Sequence, residues 1–161
     1  MSERPNIYEP SDIQTREELE GYTAHRAGLG AQAGGERLGM SLWILPPGQA
    51  AYPYHFHLVE EEMLVVLEGT PTLRTPEGTR VLYRGEVVSF AANAEGAHQL
   101  LNDTGTEARF LSISTVDATD ICVYPDTNKI SAGERRVGGG GVRHIFRIED
   151  AVGYYDGMEP R

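Results

Sequence analysis

Hydrophobic positions along this chain fall in short runs, not in long periodic stretches. Leu38–Leu45, Met63–Leu67, Pro71–Arg74, Arg80–Tyr83, Val87–Phe90, Ala97–Leu101 and Arg109–Ser114 are rich in Val, Leu, Ile, Tyr, Phe and Thr. Turn signals separate them at Pro46-Pro47-Gly48, Glu68-Gly69, Pro76-Glu77-Gly78, Arg84-Gly85, Asn93 to Gly96 and Asn102 to Gly105. Many short strands with closely spaced turns predict an all-β sandwich or barrel. Connections this short require mostly antiparallel pairing, because parallel pairs need long crossovers. No window between residues 38 and 125 sustains a helical period.

The two ends read differently. Thr15-Arg16-Glu17-Glu18 has the form of a capping box, which predicts one or two helical turns over Arg16–Gly21, with a surface turn as the competing reading. Gly28 to Gly39 is rich in Gly and Ala and reads as a loop. The last third begins with Cys122-Val123-Tyr124-Pro125-Asp126, passes through a polar stretch and four glycines at Gly138–Gly141, and offers one more strand over Val142–Ile148. The expected organisation is an N-terminal arm (1–36), a barrel core (37–125) and a C-terminal extension (126–161) packing on the barrel. Tyr154-Tyr155 would fold back over the barrel mouth, against the alternative of a frayed terminus.

Composition narrows the partners. The 161 residues suit one domain. Fourteen Lys and Arg against twenty-four Asp and Glu give a net charge of −10. A surface that acidic repels phosphate backbones and anionic membrane, so neither nucleic acid nor bilayer is expected. The single cysteine, Cys122, excludes an internal disulfide and fits a reduced, cytoplasmic setting. Met1 to Pro5 is not apolar, and the longest apolar run is Met63–Leu67, so neither a signal peptide nor a membrane helix is expected.

The chemistry lies in the histidines. His55 and His57 stand at i and i+2. On a strand both rings face one way, their Cα atoms roughly 6.5–7 Å apart. Two ring nitrogens can then reach one ion at about 2.0–2.2 Å each. Glu62 follows five residues after His57, and His98 opens a later strand. Three imidazoles and a carboxylate leave two positions of an octahedral shell for water, oxygen or a bidentate ligand.

With these residues placed, two segments resemble the cupin family. Gly48, six residues, His55-x-His57, four residues, Glu62, six residues and Gly69 resemble its first motif; Gly85 to Asn102, ending in His98, three residues and Asn102, resembles its second. The resemblance spans roughly residues 40–115. It implies a double-stranded β-helix, an antiparallel jelly-roll-like barrel, with a divalent metal ion (Zn, Mn, Fe or Ni) held by His55, His57, Glu62 and His98. It also implies a homodimer. Two departures stand out. The first motif has six residues between its Gly and His where five are usual. The second has Ala91-Ala92-Asn93 where Pro-x-Gly is usual, which predicts a looser turn before His98. For the carboxylate, the spacing to Gly69 favours Glu62 over Glu61; the other glutamates of 60–62 are expected to form a solvated cluster at the barrel rim.

Three functions fit. The first is a metalloenzyme acting on a small oxygen-rich metabolite, with a sugar or sugar-phosphate isomerase or epimerase as the leading form and Glu62 or a metal-bound hydroxide as the base. The second is a dioxygenase with non-haem iron. The third is a non-catalytic small-molecule binding module. His25 and His144 lie outside the motifs and read as surface residues. Cys122 reads as a small core residue, with no histidine near it in sequence to act as a base. Leu100 and Asn102, on the face of His98, are expected pocket walls; Tyr52, Tyr54 and Phe56 are expected on the opposite face, between layers. Arg135, Arg136, Arg143 and Arg147 flank Gly138–Gly141 with no acid between them. Two readings remain open for that segment: an anion site, or a mobile loop offsetting an acidic body.

Overall fold

A computed structural model describes residues 4–17, 19–134, 136–137 and 139–160. The strands are β1 (Gln14–Glu17), β2 (Thr23–Ala27), β3 (Leu38–Leu45), β4 (Gln49–Ala50), β5 (Phe56–His57), β6 (Glu62–Glu68), β7 (Thr72–Thr75), β8 (Gly78–Val81), β9 (Val87–Phe90), β10 (Gln99–Asn102), β11 (Ala108–Thr115), β12 (Ile121–Tyr124), β13 (Lys129–Gly133) and β14 (Arg143–Arg147). One short helix, α1 (Leu29–Gln32), precedes β3. Every pairing between these strands is antiparallel, as the short connections require.

One layer is a six-stranded sheet in the order β1-β2-β3-β11-β6-β9. Opposite it lie two four-stranded sheets, β4-β10-β7-β8 and β14-β13-β12-β5. A bridge between His55 and His98 joins these two, the His55 N–H donating to the His98 carbonyl at 3.2 Å and the His98 N–H to the His55 carbonyl at 2.8 Å. Alternation along each strand supplies the core. Leu64 and Val66 of β6, Leu73 of β7, Leu100 of β10, Phe110 of β11 and Trp43 of β3 belong to one buried cluster. The rings of Trp43 and Phe110 are nearly parallel at 6.1 Å.

The outer face of the six-stranded sheet is also apolar, and the chain covers part of it itself. Ala27, Leu29 and Leu42 are buried there, with Ile7, Leu67 and Leu111 packed against them. That cover accounts for part of the two-faced apolar character of Met63–Leu67, while Met63 stays exposed.

The N-terminal arm departs from expectation. Of the span expected to be helical, Arg16 and Glu17 belong to an edge strand, because Gln14–Glu17 find hydrogen-bond partners along Thr23–Arg26. Residues 19–22 close a turn, the Tyr22 N–H donating to the Leu19 carbonyl at 2.9 Å, as the competing reading had it. A segment this short takes its conformation from an available sheet edge over its own capping signal. Glu18, the last residue of that signal, lies outside the described residues. The Gly28–Gly39 loop contains α1 and the start of β3. At the other end, every described residue from 139 to 160 is exposed. Tyr154 and Tyr155 stack edge to face on each other in solvent and do not cover the barrel mouth. Among the described residues, no helix is long and apolar enough to cross a membrane.

Candidate metal centre

Three separate stretches converge on Glu62. His55 and His57 come from the β5 segment, His98 from the residue before β10, and Glu62 from the first position of β6. The Glu62 Oε2 atom lies 3.3 Å from His98 Nε2, 3.6 Å from His57 Nε2 and 3.9 Å from His55 Nε2. The four side chains are between 4% and 13% exposed.

The other ring nitrogens fix the tautomers. His55 Nδ1 donates to the Pro53 carbonyl at 2.8 Å, and His98 Nδ1 to the Gly96 carbonyl at 2.9 Å. A carbonyl only accepts, so each Nδ1 carries the proton. His57 Nδ1 meets Asp120 Oδ2 at 2.5 Å. In the neutral rings each Nε2 then presents a lone pair toward a carboxylate oxygen. Burial lowers the His98 pKa, with His57 adding to the effect against the charge of Glu62 and the Gly96 carbonyl, so the neutral ring is favoured. Glu62 Oε2 is buried and has no hydrogen-bond partner.

Four acceptors facing one another are costly unless a cation lies between them. Ligand atoms held at 2.0–2.2 Å by one ion are about 3–3.5 Å apart, close to the spacing seen here. The donor set therefore fits a divalent ion, which these four residues would hold.

Local sequence explains each placement. The turn before His98 is closed, not loose. Asn93 Oδ1 accepts from Glu95 N at 2.8 Å, and Gly96 N donates to the Asn93 carbonyl at 3.0 Å. Gly96 is required there, since a Cβ would sit 2.0 Å from the Ala91 carbonyl oxygen. Gly69, with φ of +76°, ends β6 where a Cβ would lie 2.7 Å from the Glu107 carbonyl. Phe90 stacks on the His98 ring at 3.6 Å.

The glutamates separate cleanly. Glu61 is exposed, while Glu60 is buried, which corrects the expectation of a solvated cluster. Glu60 Oε1 accepts the Asp117 N–H at 2.9 Å, and its Oε2 lies 3.9 Å from His57 Nδ1. Sequence reasoning missed Asp120 and placed Glu60 at the solvated rim. Burial would raise the Asp120 carboxyl, but the His57 hydrogen bond and charge, with the Val59 and Glu60 N–H groups, hold it at about 2. No motif marks Asp120; only the β12–β5 register, with Cys122 opposite His57, brings it there.

Two other expectations change. Tyr52 stands edge-on to His55 at 5.0 Å and to His98 at 5.6 Å, so it borders the centre. The irregular chain between β4 and β5 breaks the strict alternation that put it on the opposite face. Asn102 is no pocket wall, because its amide donates to the Leu45 and Thr106 carbonyls at 2.8 Å each and its Oδ1 accepts from Thr104. Cys122 is buried, as expected of a small core residue, and the fold brings its sulfur and nitrogens of His55 and His57 within 4.8 Å of one another. Burial pushes the Cys122 thiol up to about 11.

The arginines around Gly138–Gly141 do not converge. Arg136 pairs with Glu134, Arg147 with Glu149 at 3.7 Å, and Arg143 turns to hydroxyls. Arg135 and Gly138 lie outside the described residues. His144 is exposed on β14, and His25 is half-buried on β2, 3.0 Å from Thr15 Oγ1.

The profile of the cupin domain family matches residues 41–114, the stretch that holds all four converging side chains. Residues 41–114 carry a cupin domain. A comparison with curated proteins gives no match. Among solved structures, this chain is similar to a sugar phosphate isomerase of the cupin superfamily from Silicibacter pomeroyi. Identity is 24% and the TM-score 0.74, covering 87% of this chain and 91% of that one. It is similar to a candidate sugar phosphate isomerase from Acidithiobacillus ferrooxidans at 25% identity and TM-score 0.75, with 88% of each chain covered. The polyketide cyclase RemF from Streptomyces resistomycificus shares the fold at 23% identity and TM-score 0.57, over 71% of this chain and 80% of that one.

Proposed function

We propose that this cupin is a metal-dependent isomerase or epimerase of a small sugar or sugar phosphate, with His55, His57, Glu62 and His98 as ligands. One observation carries the reading: the buried Glu62 Oε2, without a hydrogen-bond partner, faces three Nε2 atoms. The likeness to the Acidithiobacillus ferrooxidans protein supports the substrate class.

A divalent ion held by His55, His57, Glu62 and His98 would supply Lewis-acid polarisation of a carbonyl or hydroxyl of the ligand. The chain supplies the rest. Pro53, Gly96 and Asp120 hold the rings in the ligating tautomer. Phe90 and Tyr52 wall the centre against water. Burial, and then the charge of Glu62, raise the Tyr52 pKa well above its ordinary value, so that wall carries a neutral phenol. The second oxygen of Glu62 is the candidate acceptor for a proton taken from the carbon next to the ligand carbonyl.

Proton abstraction and return leave a record in heavy water. Protein loaded with zinc or manganese is incubated in D2O with a panel of aldoses, ketoses and their phosphates, and followed by proton NMR. Metal-dependent exchange into at least one sugar, lost in Glu62→Gln, is the expected result. No exchange across the panel removes the isomerase reading, and oxygen consumption with bound iron would favour the dioxygenase.

A further inference from the structure

The sheet that carries His55 and His57 does not stop at the barrel. The register places Cys122 beside His57, Ser131 beside Cys122 and Ile145 beside Ser131. Paired residues share a face, and alternation adds Tyr124 and Arg143 to it. The face that presents the histidines therefore continues onto β13 and β14.

Arg143 does not project away from that face. Its Nε donates to Ser131 Oγ at 2.8 Å and its Nη2 to Tyr124 Oη at 2.7 Å. The guanidinium thus folds back across β13 to β12, the strand paired with β5. The Tyr124 ring in turn stacks against the His55 ring with centroids 6.1 Å apart. Both partners of Arg143 are neutral hydroxyls, and among the described residues no carboxylate pairs with it. Arg74, Arg80, Arg136 and Arg147 each pair with an acid. In a chain of net charge −10, a guanidinium oriented by two hydroxyls and left without a counter-charge beside a candidate centre is arranged to take an anion.

We infer that Arg143, oriented by Tyr124 and Ser131, anchors a terminal anionic group, a phosphate ester or carboxylate, of a short polyol whose other end lies at the histidine cluster. The inference rests on the proposed reading of that cluster and adds the substrate's charge and direction. It also gives the C-terminal hairpin a function, since β14 delivers a side chain that the barrel lacks.

The test uses the full chain, titrated by calorimetry with glucose 6-phosphate, gluconate and glucose, with and without zinc. Both anions are expected to bind at least about tenfold more tightly than glucose, and Arg143→Met to bring all three within about threefold. Arg143→Lys restores part of the preference, and the tighter of the two anions tells phosphate from carboxylate. Tyr124→Phe, which removes one orienting hydroxyl, is the second variant. If Arg143 only pinned the hairpin, both variants would lower the melting midpoint and leave the preference intact, which overturns the inference. Equal binding of all three compounds, or no binding of any, overturns it too. Zinc content of the same samples reports separately on the metal centre.

Discussion

At the scale of single residues, proton bookkeeping decides what the cluster is for. Three imidazoles commit their Nδ1 positions elsewhere and turn their lone pairs toward Glu62. Glu62→Gln replaces one acceptor with an amide that donates to an Nε2. The metal-free variant is therefore expected to be more stable than the parent by about 1 kcal/mol or more at pH 8, while zinc no longer raises its melting midpoint. A destabilised metal-free variant in urea unfolding would contradict the account. Asp120→Asn keeps the shape beside His57 and removes the charge; zinc affinity in a competitive titration should fall about 10–100-fold. Unchanged affinity would mean that Asp120 does not orient the ring. The four ligand candidates could be named because the motif spacings that resemble the cupin family are local in sequence. Asp120 and Glu60 were not, because only long-range register and a turn place them.

At the scale of elements, two turns do much of the positioning. The Asn93–Gly96 turn delivers His98, and a Cβ at residue 96 would collide with the Ala91 carbonyl. Gly96→Ala is expected to cost about 2 kcal/mol or more and to weaken zinc binding together with stability. Asn102 ties the 102–106 turn to the end of β3. Asn102→Ala removes the donor to the buried Leu45 carbonyl and unpins the turn, and should cost about 1–3 kcal/mol in urea unfolding, with zinc affinity unchanged. Most strands from Leu38 to Thr115 could be read from short apolar runs and turn residues, and β3 and β9 match their runs end to end; β4 lies in no such run, and β8 begins two residues before its own. The arm at 14–17 could not, since its partner strand, not its own residues, decides between turn and strand.

At the scale of the molecule, the C-terminal hairpin and tail are conspicuous. Ile145, Phe146, Val152, Tyr154, Tyr155 and Met158 are all exposed, and β14 leaves one edge of its sheet open. Exposed apolar strands at an open edge favour pairing with a second copy. Light scattering at micromolar concentration should return twice the chain's mass, and Phe146→Asp should shift it toward one chain; a monomeric parent would contradict this. The central claim is that four side chains hold one ion inside this barrel. Native mass spectrometry of the full chain after incubation with zinc or manganese tests it most directly. The expected spectrum shows one ion per chain, absent from His57→Ala and Glu62→Gln. A parent that binds no ion, or variants that keep theirs, would contradict it.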